Sequence, residues 1–502
     1  MSEPHLNTAN ARRTEPRVVI IGAGISGILL GVKLRERGWL NFTILEKAGT
    51  LGGTWRDNRY PGVACDVPAH LYVYSFAPNP AWRSRYAKGP DIWKYYHGVA
   101  RRHGVLPHIQ YGKEVVGAEF DGAGWRVETS DGSIHEADIV IAASGRLHHP
   151  VMPDIPGVDS FAGPKFHTSR WDASVKLAGK RLGLIGTGST ATQAVAALAD
   201  QVAQLKLFQR TPQWVFPVQD TPVPWWKRVA YRLSPAYARK YYQTLQAQTE
   251  ARGRAATGDR DARAARDQQC VDALATVRDP ALRAKLTPNY EVGCKRLVMS
   301  GTFYQAVQKP SVDVVTDGID HIEPKGVVTK DGRLHELDVL VFATGFDAHA
   351  YLRPMRLVGE GGVTLDEVWR DLPLTYRSIA IPNMPNFFLI NGPYSPGGSA
   401  SVVGIVEVQV DYVLKLMEHI VRDKVLLVPR EGASLAWLED ARERARNSVW
   451  GTGGCQSWYL DKTGTPSIDP STLSELKAQL AQPRLEDFVE RPLPVDVETK
   501  AA

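Results

Sequence analysis

The chain has 502 residues, 43% of them hydrophobic and 23% charged, with sixty Lys and Arg against fifty-four Asp and Glu for a net charge of +6. That balance describes a globular protein of about three folding units and excludes wholesale nucleic-acid binding. No apolar run reaches the ~18 residues of a membrane span, and the polar first segment lacks the apolar stretch of a leader and reads as a loose tail.

Arg17 to Ile21 (RVVII) reads as a short buried strand that runs into the turn Gly22-Ala-Gly24-Ile-Ser-Gly27 and then a helical stretch stopping at Gly38. Glycines at these positions permit a tight turn and close approach of backbone to a pyrophosphate, which then sits at the positive end of the following helix. Glu46 ends the next strand (FTILE), 22 residues after Gly24, where a carboxylate accepts hydrogen bonds from ribose hydroxyls. Lys180 to Ile185 repeats the pattern, entering Gly186-Thr187-Gly188-Ser189-Thr190-Ala191 and a second helical stretch. Counting 22 residues from Gly188 reaches Arg210, followed by Thr211, so a cation and a hydroxyl stand where the first unit has its acid. An arginine there neutralises a 2′-phosphate, which a glutamate repels. The first unit is therefore expected to hold FAD or NAD and the second NADPH.

A further repeat lies two hundred positions apart: DGSIHEADIVIAASG from Asp131 and DGRLHELDVLVFATG from Asp331. In both, an Asp-Gly turn joins two strands, the second an apolar run ending at a small-residue turn, and His135 and His335 take equivalent structural places. The organisation predicted is α/β, with two Rossmann-like dinucleotide-binding domains, the second inserted into the first. Residues 1–147 and 345–502 form the first, 148–221 and 286–344 the second, and an Ala/Arg/Gln-rich helical insertion, broken at Pro235 and Pro280, spans 222–285. After Gly345 comes a Pro/Gly/Ser loop at Asn391 to Ser401, then an amphipathic helix from Val403 to Arg422, and the last dozen residues read as another loose tail.

Cys65, Cys270, Cys294 and Cys455 include no close pair, so neither a metal site nor a disulfide framework is expected and a reducing cytoplasm fits. Two dinucleotide sites in one chain suggest a flavoprotein reduced by NADPH. A disulfide reductase shares that plan but needs a redox-active cysteine pair near the first site, where Cys65 stands alone, so oxygen is the expected electron acceptor.

The segment Phe161-Ala-Gly163-Pro-Lys-Phe-His167-Thr-Ser-Arg-Trp171-Asp172 lies between the two Gly-rich turns. It resembles the FxGxxxHxxxW(P/D) fingerprint of type I Baeyer-Villiger monooxygenases. ATGFD at Ala343, GGTWRDNRYPGVACD from Gly52, QRTP from Gln209, CKR from Cys294 and CQSWY from Cys455 are similar to that family as well. The resemblance implies that NADPH reduces FAD, that the reduced flavin takes up O2 as a C4a-peroxyflavin, and that this attacks a ketone to give an ester or lactone. It implies that Arg296 is the essential catalytic cation, that Asp66 pairs with it, and that Lys295 contacts the NADPH phosphate. Thr54, Trp55, Asp66 and Tyr72 match positions lining the flavin or its ribityl chain, and Trp458 matches a tryptophan over the nicotinamide, although a core aromatic is an equal reading. His167 is expected in a hinge, outside the chemistry. The rivals are an S- or N-oxygenating flavin monooxygenase and a slow flavin redox sensor. The chain departs from the common pattern in LVMSGTFY after Arg296 and in NGPYSPGGSAS at Asn391, so the ketone is left open.

Thirteen Lys and Arg face six Asp and Glu between Trp225 and Lys285, and that net +7 accounts for the whole formal excess. With Trp225 and Trp226 beside Lys227 and Arg228 the stretch has a membrane-surface composition, but it reads as a solvated helical face, and no membrane association is expected.

Overall fold

The computed structural model describes residues 15–493 except Thr257 and Ser399; the two tails at 1–14 and 494–502 lie outside the described residues. Of the expected loose C-terminal end, Arg491 and Pro492 belong to a strand, Phe488–Pro492, antiparallel to Val425–Pro429, and the reading for the remainder lies outside the described residues. No helix among the described residues is long and apolar enough to cross a membrane.

Two five-stranded parallel sheets form the centre. In the first, Val18–Ile21 lies between Phe42–Glu46 and Ile139–Ala142, with Ile109–Tyr111 and Phe387–Leu389 at the edges. In the second, Arg181–Ile185 lies between Gln204–Phe208 and Val339–Phe342, flanked by Val312–Val315 and Lys165–His167. These strands are covered on both faces, which is why VVII, IVIA and VLVF are nearly continuous apolar runs and not alternating ones. The sequence repeat is a structural repeat down to single contacts. The Arg17 amide and guanidinium bind Asp138 (both 2.7 Å), and those of Arg181 bind Asp338 (2.8 and 2.9 Å). Gly22 (φ +101°) and Gly186 (φ +126°) leave no room for a Cβ, which would stand 2.8 Å from the Ala143 carbonyl and 2.3 Å from the Ala343 carbonyl. A side chain at either place would push the first strand off its neighbour.

The hairpins differ from expectation in one respect. Each Asp-Gly turn joins two antiparallel strands of a small separate sheet, Trp125–Thr129 with Ile134–Ala137 and Gly326–Thr329 with Leu334–Glu336, and the apolar run that follows is a strand of the large sheet. Asp138 and Asp338 mark the change of sheet, fixed there by their arginines. Both turns are held by a threonine hydroxyl on the turn aspartate, Thr129 on Asp131 and Thr329 on Asp331, each at 2.6 Å.

The insertion is helical, over Trp225–Leu233, Pro235–Gly253, Arg260–Ala275 and Pro280–Leu286. The breaks read at Pro235 and Pro280 are there, and each proline also opens the next helix, with the side chains of Ser234 and Asp279 accepting the first free amides. A missing N–H at the first helical position costs no hydrogen bond. The amphipathic helix spans Val402–Asp423, and the preceding Pro/Gly/Ser loop is largely buried because Gln409 accepts the Asn391 amide (2.8 Å) and donates to Ser395 (2.9 Å).

The expectation of four unpaired cysteines is overturned. Cys294 and Cys455 form a disulfide across 161 residues of sequence, while Cys65 and Cys270 are free and buried. A separation of that size leaves no trace in local spacing; the fold alone brings the two loops together. The cysteine count therefore gives no ground for a reducing compartment.

The chain crosses between the two sheets twice, and the crossings run side by side: Val151 donates to the Gly345 carbonyl (3.0 Å) and Asp347 to that of His149 (2.9 Å). On the other flank, the His70 ring stacks on Tyr231 (4.3 Å) and meets the edge of Tyr241 (5.6 Å), tying the insertion to the first domain. Burial, with Lys227 adding its charge, pushes the His70 imidazole from its ordinary 6.5 down to about 4. The fold thus holds the neutral ring. Below pH 6.5 the unfolded chain takes up the proton first, so stability present above that pH is lost between pH 6.5 and about 4, by roughly 2–3 kcal/mol at ~1.4 kcal/mol per pKa unit. His70→Phe keeps the stack and removes the proton, so thermal melts of this variant are expected to show a shallower decline across that pH window than the parent.

Candidate active site

The first Gly-rich turn forms a cradle. Gly27 passes so close to Gly22 that a Cβ would stand 1.9 Å from the Gly22 carbonyl, and the helix Ile25–Glu36 begins at Gly24 with no side-chain cap and no acid in its first turn. Its free amides are left for an anion. The second Gly turn packs on the first, with Gly52 donating to the Ala23 carbonyl (2.9 Å), which sets Thr54 and Trp55 at the rim. The Trp55 indole donates to the Tyr72 hydroxyl (3.1 Å) and the two rings meet edge to face; Tyr72 is buried, which pushes its phenol up. Glu46 is buried beside the turn, where Oε1 accepts from Ala48 (2.9 Å) and Arg56 (2.8 Å) and Oε2 from Ala23 (3.0 Å). Oε2 keeps a lone pair open to one more donor. Arg56, which the sequence reading passed over, fixes that carboxylate from within the GGTWRD motif.

The second turn repeats the cradle: helix Ser189–Leu198 starts at Gly188, again without a side-chain cap or first-turn acid. Ser189 and Thr190 lie in its first turn, and Thr187 at the turn itself donates to the Thr211 carbonyl (2.9 Å). Arg210 is exposed next to this end. Its charge, after burial, is what lowers the Lys295 ammonium, whose Nζ lies 4.9 Å from the centre of the Tyr290 ring. Two cations close enough to repel each other, with no carboxylate paired to either among the described residues, form a site for an anion of more than one charge.

Arg296 comes from the second domain and Asp66 from the first, and they meet: Arg296 Nη2 donates to Asp66 Oδ2 at 3.0 Å. Arg296 lies deep in the fold, yet 44% of its side-chain surface is open against 20% for Asp66. Both facts hold together only for a group that faces a cleft. Asp66 raises the guanidinium's affinity for its proton against the opposing effect of burial, so the charge is permanent. The buried Tyr459 hydroxyl, which sequence reasoning missed, also interacts with Arg296. The neighbouring Cys65 is a buried thiol pushed up by that burial.

Gln193 holds the two halves in register. Its side chain accepts from Tyr60 (2.8 Å) and donates to the Ala64 carbonyl (3.0 Å), so the segment that ends in Asp66 is clamped to the second domain's first helix. Trp458 is not core: it is 43% exposed, stacks at a tilt on Tyr459 (4.4 Å), and its carbonyl is bound by His349 (3.0 Å). The disulfide lies next to it and next to Lys295. His167 stands apart, on the edge strand of the second sheet, bonded to Ser169 (2.8 Å) and edge-on to Phe346 at a crossing.

With this geometry in place, the relatives fall into line. Residues 19–255 match the pyridine nucleotide-disulphide oxidoreductase family model. The chain is 42% identical over 474 residues to an uncharacterized monooxygenase of Mycobacterium tuberculosis, covering 94% of this chain and 96% of that one. It is 39% identical over 493 residues to a Baeyer-Villiger monooxygenase of Streptomyces coelicolor, covering 97% and 95%. Among solved structures, cyclohexanone monooxygenase from Rhodococcus sp. Phi1 bound to NADP+ superposes with a TM-score of 0.85 at 29% identity, over 96% of this chain and all of that one. Fold, paired cradles and likeness over nearly the full length agree: the chain belongs to the type I Baeyer-Villiger monooxygenases, flavin-dependent monooxygenases whose cofactors are FAD and NADPH.

Proposed function

We propose that this protein uses NADPH and O2 to insert one oxygen atom beside a ketone carbonyl, giving an ester or lactone. In this reading the domain built on Val18–Ile21 takes FAD, with Gly22, Gly24 and Gly27 at the pyrophosphate, Glu46 at the ribose, and Thr54, Trp55, Asp66 and Tyr72 along the flavin. The inserted domain takes NADPH, with Gly186 to Thr190 at the pyrophosphate and Arg210, Thr211 and Lys295 at the 2′-phosphate. When bound, FAD supplies the transfer of reducing equivalents from NADPH to oxygen.

The chain's own residues do the rest. A ketone under attack gathers negative charge on oxygen, and water in the site would protonate or solvate it. Arg296 presents a charge that no proton transfer removes, and Asp66 holds it to one side of the cleft at 3.0 Å. Tyr459 adds its hydroxyl to the groups that act on the guanidinium. In this reading Trp458, exposed on the segment tied to Cys455, covers the nicotinamide end and sheds water. The observation that carries the proposal is the Arg296–Asp66 pair, a fixed cation that faces a cleft and is assembled from both domains. It favours attack by a negatively charged oxygen on carbon over electrophilic transfer to sulfur or nitrogen.

Arg296→Ala is expected to lower ester or lactone formation from a ketone panel by about 10²–10³-fold or more while NADPH still bleaches the yellow protein. An unchanged product yield by mass spectrometry would sink the assignment. Tyr459→Phe leaves the Asp66 pair and is expected to cost less, about tenfold in kcat with little change in KM for the ketone. Replacing Arg210 and Lys295 together with Ala is expected to raise KM for NADPH about 10–100-fold and to leave KM for NADH unchanged; an equal rise for both nucleotides would remove these cations from the 2′-phosphate.

A further inference from the structure

The first helix of the insertion, Trp225–Leu233, departs from the solvated polar face its charge suggested. Its buried side chain is Tyr231, packed on His70 and within 5.6 Å of both Tyr237 and Tyr241. Its outward side is apolar: Trp225 is 70% exposed, Trp226 51%, Val229 45% and Leu233 77%. Trp225, Val229 and Leu233 recur every fourth residue with Trp226 beside them, so all four project from one side of the helix. Exposed tryptophans and a leucine on a single stripe are a docking surface, not the scatter of apolar residues that any surface carries.

The charge around the stripe selects its partner. Lys227, Arg228, Arg232, Arg239 and Lys240 lie on this helix and the start of the next, and no acid occurs from Trp225 to Thr249. None of the five is ion-paired to a carboxylate among the described residues. A second copy of this chain docked on the same stripe would bring five cations against five cations. A surface that offers apolar depth and negative charge together satisfies both features, and tryptophans beside cations are the residues that settle at the headgroup boundary. We propose that the Trp225–Leu233 helix docks the protein, without spanning, on an anionic lipid surface, its apolar stripe in the headgroup region and its five cations against lipid phosphates. Pairing of Arg85 with the Thr221 carbonyl and of Val223 with the Arg83 carbonyl fixes the root of the helix on the first domain, so the docked body has a defined orientation.

The test uses the full-length FAD-loaded protein and two vesicle preparations, phosphatidylcholine alone and an equal mixture of phosphatidylcholine with phosphatidylglycerol. At low salt the parent is expected to sediment with the mixed vesicles and not with phosphatidylcholine alone, and to blue-shift its tryptophan fluorescence as it does so. Trp225→Ser with Trp226→Ser is expected to weaken this by roughly tenfold or more, and Arg232→Gln with Lys240→Gln by roughly 25-fold, at about fivefold per cation. These positions are on the surface, and retained flavin colour and an unchanged melting temperature show that each variant is folded. Failure of the parent to bind the mixed vesicles, or binding indifferent to both double variants, overturns the proposal. So does a parent dimer that Trp225→Ser with Trp226→Ser converts to monomer, because the stripe is then covered by a second copy.

Discussion

The contact on which the rest of the structure depends is the ion pair between Arg296 and Asp66, 230 residues apart and contributed by different domains. A partly open ion pair of this kind is useful only where its geometry is fixed, and neither residue's own domain supplies that condition. The fold supplies it from outside. Gln193 clamps the strand-like segment before Asp66 to the second domain, Tyr459 limits Arg296 from a third element, and the disulfide fixes the residue two before it. Each of these is spent on holding a cation in a cleft where a free arginine would turn outward to solvent.

The parts of this architecture legible in the sequence are those that chemistry repeats at fixed spacing. Two Gly turns, an acid and a cation at the same offset, and duplicated Asp-Gly hairpins carried the fold, because each constraint acts within a few tens of residues. The hairpins were found in the right segments but not divided between sheets: strand periodicity reveals that a run is buried on both faces, not which neighbour covers it. Pro235 and Pro280 were legible as interruptions, and the caps before them, Ser234 and Asp279, show that they are helix starts as well.

What remained illegible depends on pairs far apart in the chain. Cys294 and Cys455 have no local signature, Gln193 is one glutamine among many, and Tyr459 is conspicuous only once Arg296 is seen to lie beside it. Arg56 was within reach, since a buried carboxylate that ends a parallel strand needs a cation or several amides, and this arginine stands in the next Gly motif. The outward direction of the Trp225–Leu233 stripe follows from Tyr231 occupying the inner face, a choice that composition and charge counts do not reveal.

The two crossings between the domains run as adjacent, mutually bonded antiparallel segments at residues 149–151 and 345–347, and a body suspended from two straps laid side by side swings about a single axis. The bond from Cys294 to Cys455 adds a third attachment away from that axis. Mechanically this turns an open hinge into a closed linkage: the inserted domain cannot tilt without the loops around Cys294 and Cys455 tilting with it. Arg296 and Trp458 are each within three residues of that bond, so the cation and its aromatic cover are geared to one motion, and domain rotation carries them as a pair.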